Sequence, residues 1–403
     1  MKGIHRTGLS AALLLGGAAL PTSALSTSAP AMPDAPAYTI EIIQAPPCII
    51  QPLTIGTAIA GGGVVAGYHA VCTSTKYKAF TYSATGGKFT SLPFVPGFST
   101  MKAWDINDAG HVVGGMETSA GVCRAFLAVD GIPAELATPD GYAGSEALGL
   151  NSAGTVIVGA SFAPSASEPT VWIDGVPAQL ILPLGPNGHA RDINDAGQVV
   201  GWMGLSTVSS SSAFLPGGTG VASAINQLGE IVGTGVMPDP GGRGFTSRAI
   251  RWSNGVMTDL GTLNGYFLGA ARDVNNHSEI VGYCWNIPPF GNGQKAFIWR
   301  NGVMTALNTL IPPAGPLDIT IAHAIDNEGR ITGQASDGSG HAVAVRLTPI
   351  PSIPGDFNRD GSVNAADLGI LLGAWGLPGV ADIDRSGAVD GADLAIVLGN
   401  WTG

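Results

Sequence analysis

Positive charge is scarce in this chain: Lys and Arg number 18 among 403 residues against 29 Asp and Glu, for a formal net charge of −11. No basic cluster offsets that deficit, and phosphate-backbone binding needs one, so nucleic acid is not expected as a partner. Charge of either sign reaches only 12%, which leaves little to cover long solvated helices. Long apolar runs are missing too. The apolar stretch over residues 9–20 follows Lys2, His5 and Arg6 and precedes the small residues Thr22 and Ala24. It is too short to span a bilayer and reads as a signal peptide over residues 1–24, with Ala29 as a second cleavage point. No later segment approaches about 18 unbroken apolar residues, so a secreted protein without a membrane span is expected. The four cysteines, Cys48, Cys72, Cys123 and Cys284, lack CxxC spacing, which argues against zinc. A Cys48–Cys72 bridge, a Cys72–Cys123 bridge and free, partly buried thiols all remain open. A GxSxG elbow, an HExxH motif and a phosphate-binding glycine loop are absent.

What the chain has in quantity is glycine, 60 residues, and proline, 28, among alternating Val, Ile, Phe and Trp. That composition suits many short strands joined by tight turns. One phrase returns: DINDAGHVVGG from Asp105, DINDAGQVVGW from Asp192, AINQLGEIVGT from Ala224, DVNNHSEIVGY from Asp273 and AIDNEGRITGQ from Ala324. Weaker copies are GLNSAGTVIVGA from Gly149, one residue longer, and AIAGGGVVAGY from Ala58, which lacks the Asn. The closing glycines, Gly67, Gly114, Gly159, Gly201, Gly233, Gly282 and Gly333, are spaced by 47, 45, 42, 32, 49 and 51 residues. After each phrase comes a second one such as KAFTY from Lys78 or KAFIW from Lys295, often followed by a third such as NGVMTDLGTL from Asn254. Each unit thus offers about four short strands, the content of a propeller blade.

The fold class read from this is an all-β repeat domain over residues 38–348, a seven-bladed β-propeller, with an open β-solenoid as the rival. The last unit lacks a fourth strand, and the lone segment YTIEII from Tyr38 can supply it and close the ring, removing both exposed edges. In INDAG the Asn can bond its own backbone and the Gly can take a positive φ, so the recurrent Asp and Asn read as structural parts. These phrases resemble the HAF family of extracellular repeats, best between Arg191 and Leu310. The resemblance implies an exported repeat protein and carries no catalytic residues with it.

A proline-rich spacer over 349–354 leads to a second domain over 355–403. There DFNRDGSVNAADLGILLGAW from Asp356 returns 26 residues later as DIDRSGAVDGADLAIVLGNW from Asp382. Read as twelve-residue loops, the first offers Asp356, Asn358, Asp360, Ser362 through its carbonyl, Asn364 and Asp367. The second offers Asp382, Asp384, Ser386, Ala388 through its carbonyl, Asp390 and Asp393. Alternating carboxylates on a tight loop suit Ca2+, a hard cation taking six to eight oxygens, so two calcium ions are expected. Each loop runs into a helix with an apolar stripe, Leu368, Leu371, Leu372 and Trp375 in one and Leu394, Val397, Leu398 and Trp401 in the other, spaced so that the helices face each other. No helix precedes either loop. Duplication, the missing entering helix and ADL at positions eleven to thirteen together resemble a type I dockerin, a small α-helical, EF-hand-like domain. The resemblance implies docking to a cohesin-like domain through the surface near Ala365, Ala366, Gly391 and Ala392.

Two functions remain open for the repeat domain. One is a non-catalytic binding or scaffold component with a polysaccharide ligand. The other is a carbohydrate hydrolase or lyase, which needs two carboxylates about 5–9.5 Å apart in a cleft. Glu117, Glu135, Glu146, Glu168, Glu230 and Glu279 are scattered and share no pattern. Trp104, Trp202, Trp252 and Trp285 read as packing, and His69, His111, His189, His277, His323 and His341 as loop residues. Binding is therefore the preferred reading.

Overall fold

The structure is a computed structural model that describes residues 37–402 apart from 47–52, 72–75, 84, 180–186, 205–210, 214–219, 239–243, 287–292, 314, 351–352, 358–361, 378–380 and 385. The segment read as a signal peptide lies outside the described residues, as do Cys48 and Cys72. Cys123 and Cys284 carry free thiols.

From Thr54 to Pro349 the chain folds into antiparallel meanders set around an axis, an all-β propeller. In the sheet that begins at Leu268–Val274, the strands Ile280–Trp285, Gln294–Arg300 and Val303–Ala306 follow outward in chain order. Asn301 and Gly302, both at positive φ (50° and 85°), make the two-residue hairpin between the last two. Six sheets have four strands. The expectation of seven four-stranded blades is corrected at the unit starting with Asn187–Ile193, whose sheet has three strands among the described residues, the outermost being only Ser211–Ala213.

Closure follows from strand pairing. Tyr38–Ile43 runs antiparallel to Ala342–Pro349, with Tyr38 opposite Pro349 and Ile43 opposite Ala344, and completes the last sheet. The core lies between sheets rather than within any one. Ile59, Val65 and Phe80 of the first sheet bury themselves against Ile43, Ala324 and Ala344 of the last, and similar clusters join each sheet to its chain neighbour. The open-solenoid alternative is thereby excluded.

The repeated phrase builds the hairpin between the first two strands of each sheet. The Asn107 carboxamide oxygen accepts from the His111 N–H at 3.0 Å, and Gly110 turns the chain at φ 79°. Just before that hairpin every first strand carries a β-bulge, as between Ala103 and Asp105 or Ala271 and Asp273. The bulge explains the closing glycine: a Cβ on Gly114 would sit 2.0 Å from the Lys102 carbonyl oxygen, and one on Gly282 would sit 2.1 Å from that of Ala270.

In the tail, two nine-residue helices, α1 (Ala365–Gly373) and α2 (Gly391–Gly399), pack around Val363, Leu371, Ala381, Val389 and Val397. Residues 26 apart make the same contacts. Gly376 N–H donates to the Val389 carbonyl at 2.9 Å, and Thr402 N–H to the Val363 carbonyl at 2.9 Å, so each loop is tied to the exit of the other helix. The apolar stripes do not face each other along their whole length. Leu371 and Val397 are buried, whereas Leu372 and Leu398 are each 54% exposed and Trp375 and Trp401 stay 47% and 39% exposed. Helices this short enclose one row of side chains between them.

Candidate metal centre and central channel

In the second acidic loop the side chains of Asp382, Asp384 and Asp393 converge, with one carboxylate oxygen from each within 4.8 Å of the others. Backbone donors hold the group in place. Asp382 accepts from Ser386 N–H (3.0 Å) and Gly387 N–H (2.9 Å), the second made accessible by Gly387 at φ 107°. Asp393 accepts from Asp390 N–H (2.9 Å), Ile383 N–H (2.6 Å) and Asp384 N–H (3.2 Å). The Asp390 N–H, followed by the other two, holds the Asp393 carboxyl below the usual carboxylate range against the opposing effect of burial. Asp393 exposes no surface, yet the tail around it is too thin to desolvate it deeply. Three anions so close repel one another unless a cation lies among them, and an all-oxygen set fits Ca2+.

In the first loop Asp367 repeats the Asp393 pattern, accepting from Phe357 N–H (2.8 Å) and Asn364 N–H (3.0 Å), and Asp356 is buried. Ser362 is among the described residues, whereas Asn358 and Asp360 lie outside them. Position nine has a second role that ligand spacing alone did not reveal. Asn364 and Asp390 are the N-caps of α1 and α2, accepting from Ala366 N–H (2.8 Å) and Ala392 N–H (2.7 Å), with Asp367 and Asp393 closing a capping box. The three-residue interval between cap and acid is the signal for it. Ser386 donates its hydroxyl to the Ala388 carbonyl at 3.2 Å. Ala365, Ala366, Gly391 and Ala392 are exposed on the first helical turns.

The propeller axis holds a cavity of about 310 Å³ lined by the first strand of every sheet. The seven bulged residues, Thr57, Trp104, Leu148, Arg191, Ser223, Arg272 and His323, all face it. A bulge re-aims one side chain, and here it presents the residue just before the repeated phrase, which is Thr, Trp, Leu, Arg, Ser, Arg and His in turn. Residues next in sequence do the opposite. Asp105 accepts from Ile106 N–H (2.8 Å) and from Leu150 N–H of the following sheet (3.1 Å). Asp192 bridges Ile193 N–H (2.7 Å) to Ile225 N–H (2.8 Å), and Asp273 bridges Val274 N–H to Ile325 N–H, both at 2.8 Å. The recurrent Asp is thus a tie between sheets. At the four other equivalent places the sequence has Ala58, Gly149, Ala224 and Ala324, so the three carboxyls are set apart around the ring.

Burial dominates their ionisation, pushing Asp105 up to about 7 and Asp273 up to about 6 and raising Asp192 well above its ordinary value, against the backbone donors that favour the anion. A folded-state pKa above the unfolded one gives stability that is complete below the unfolded pKa and is lost as pH rises through the folded one. Between pH 5 and 8 the urea midpoint of the native protein should therefore fall relative to that of Asp105→Asn, a change of about 1–2 kcal/mol. A pH-independent difference between the two would contradict this origin.

Glu146 also reaches the axis region, taking a hydrogen bond from Trp104 Nε1 at 2.6 Å, with burial raising its pKa. Other glutamates serve the scaffold: Glu230 pairs with Arg251, Glu279 with Arg300 (2.6 Å), Glu135 with Arg124 (3.2 Å), Glu41 with Arg346 and Glu328 with Arg330 (2.6 Å). The carboxyls of Asp105, Asp192 and Asp273 are each held by backbone N–H groups of two sheets. Three histidines expected in loops are on strands instead: His69 in Val64–Ala70, His189 in Asn187–Ile193 and His323 in Asp318–Ile325.

No family model and no curated protein matches this chain. Among solved structures it is similar to a putative TolB from Agrobacterium tumefaciens (11% identity, TM-score 0.40, covering 78% of this chain and 99% of that one). It is also similar to an oligogalacturonate lyase from Vibrio parahaemolyticus (11%, 0.46, 80% and 99%). A third similar structure is a puromycin-hydrolyzing peptidase from Mycobacterium tuberculosis (12%, 0.46, 78% of this chain and 56% of that one). The likeness lies in the β-propeller. Among the described residues no helix is long and apolar enough to cross a membrane.

Proposed function

We propose that the chain is a secreted, HAF-like repeat protein whose tail is a type I dockerin binding two calcium ions and docking onto a cohesin-like partner. The propeller acts as a non-catalytic binding or scaffold component in an extracellular, polysaccharide-related assembly, with the three-stranded sheet counted as its seventh blade. The observation that carries this reading is the convergence of Asp382, Asp384 and Asp393 on a loop whose backbone donors are already committed to them. The 26-residue symmetry of the tail supports it, since it offers a partner two equivalent faces. So do the exposed Leu372, Trp375, Leu398 and Trp401, apolar surface that a partner would cover.

The test uses the full chain passed over an immobilised type I cohesin domain with calcium or with chelator, alongside a polysaccharide panel read for retention and for release of reducing ends. Calcium-dependent retention on cohesin, with polysaccharide binding but no turnover, is expected. Turnover that disappears in Glu146→Gln would replace this reading with the hydrolase or lyase alternative.

A further inference from the structure

We propose that the axial cavity of the propeller is a binding site for a small ligand carrying an oxyanion, a carboxylate or a phosphate, gripped by Arg191 and Arg272. This goes beyond the docking role of the tail and does not depend on it.

The positions that build the scaffold recur: the tying Asp or a small residue in its place, the turn Asn in five of the seven copies, and the closing glycine. The bulged position facing the axis does not recur. A ring selected only for closure would be expected to repeat its inward residue as it repeats the others. Instead two arginines, a histidine and a tryptophan stand at this position among Thr, Leu and Ser. Long cations at the narrow axis of a ring are costly to place, because each loses hydration there.

Those cations are also incompletely used. The Nε atoms of Arg191 and Arg272 and Nε2 of His323 are shielded from solvent and have no hydrogen-bond partner among the described residues. Buried guanidinium nitrogens without partners are unfavourable unless something else accepts from them. The tying aspartates beside them do not serve: their oxygens point to backbone N–H groups of two sheets, and neither Nε finds one of them. Arg191 feels Arg272 strongly enough that, after burial, it is the main influence lowering its pKa, so the two guanidinium groups share one region of the cavity. His323, pushed down to about 3 by burial and by Arg272, is neutral and contributes a hydrogen bond rather than a third charge. Trp104 also lines the cavity and donates to Glu146, whose charge acts on Arg191 from beside it. An oxyanion between the arginines would satisfy both Nε groups, with the planar fork geometry that guanidinium favours. At about 310 Å³ the cavity is at the small end of ligand pockets and suits a body of roughly monosaccharide size.

The experiment is calorimetric titration of the full chain with three probes: glucuronate, glucose and inorganic phosphate. Glucuronate and glucose share a ring and differ by the carboxylate. Glucuronate or phosphate should bind and glucose should not. Arg191→Gln and Arg272→Gln should each weaken binding at least tenfold, and Arg124→Gln, which removes a cation on the outer part of a blade, should leave it unchanged. Arg272→Lys keeps the charge and the fold while losing the fork, and should fall between wild type and Arg272→Gln. Selective binding of glucuronate would point to a carboxylate ligand and of phosphate to a phosphorylated one. Failure of both anions to bind, binding of glucose equal to glucuronate, or undiminished binding in folded Arg191→Gln and Arg272→Gln proteins would overturn the proposal.

Discussion

Gly282→Ala is expected to lower the unfolding free energy by about 3 kcal/mol, a large effect for one methyl group. The backbone at Gly282 is ordinary extended strand, so the cost does not come from φ. It comes from the neighbouring strand, whose bulge between Ala271 and Asp273 pushes the Ala270 carbonyl to 2.1 Å from where the Cβ would be, with Phe297 Cζ at 2.9 Å and Ala271 Cα at 3.0 Å. Two of these three atoms are backbone, and relieving the clash means undoing the bulge. Gly302→Ala provides the contrast. That glycine lies at φ 85° with open space around its Cβ position, so its cost is conformational only, about 1 kcal/mol. Urea denaturation of both variants checks the ordering, and a smaller loss at Gly282 than at Gly302 would refute the account. If the bulge rearranges to admit the methyl group, Arg272 is displaced as well, so the variant should also lose whatever binds at the axis.

The repeated phrase announced the propeller because each copy encodes one hairpin, and hairpin chemistry is local. Asn107 with Gly110 can be read without knowing what the strands pack against. The closing strand was legible for a related reason: a last unit short of one strand and a stray strand at Tyr38 have one economical solution. What escaped was everything set by pairing across the ring. The bulge at Arg272 is a mismatch of register between two strands, and neither strand alone carries a sign of it. For the same reason the sequence alone reads His323 as a loop residue and Glu146 as isolated, although Trp104, 42 residues away, donates to it. The short unit from Asn187 shows the converse limit: the 32-residue interval stands in the sequence, but a sheet of three strands among the described residues does not follow from it. In the tail the acidic cluster of Asp382, Asp384 and Asp393 is legible from spacing alone. The outward half of each apolar stripe was not, because periodicity gives the direction of a face and not whether a neighbour is wide enough to cover it.

Removing calcium is expected to melt the tail while leaving the propeller intact. The tail core consists of five fully buried side chains and a few partly buried ones, too little apolar surface to hold two nine-residue helices alone. The acidic cluster adds repulsion, and a cation converts that repulsion into attraction, so binding energy becomes folding energy. At calcium one hundred times above Kd, the gain in stability is about 2.7 kcal/mol. In hydrogen exchange on the full chain, amides in α1 and α2 should be protected with calcium and exchange rapidly with chelator, while strands such as Ile280–Trp285 keep their protection under both conditions. Asp382→Ala removes one carboxylate from the cluster and also frees the N–H groups of Ser386 and Gly387 that shape the turn. It should therefore raise the calcium concentration needed for protection by at least tenfold. Combining it with Asp356→Ala should abolish the response, because the loops are joined through Val363 and Val389 and neither helix is held by its own loop alone. Helices that stay protected in chelator, or that respond to calcium unchanged in the double variant, would show that the tail folds by packing and that its carboxylates serve some other purpose.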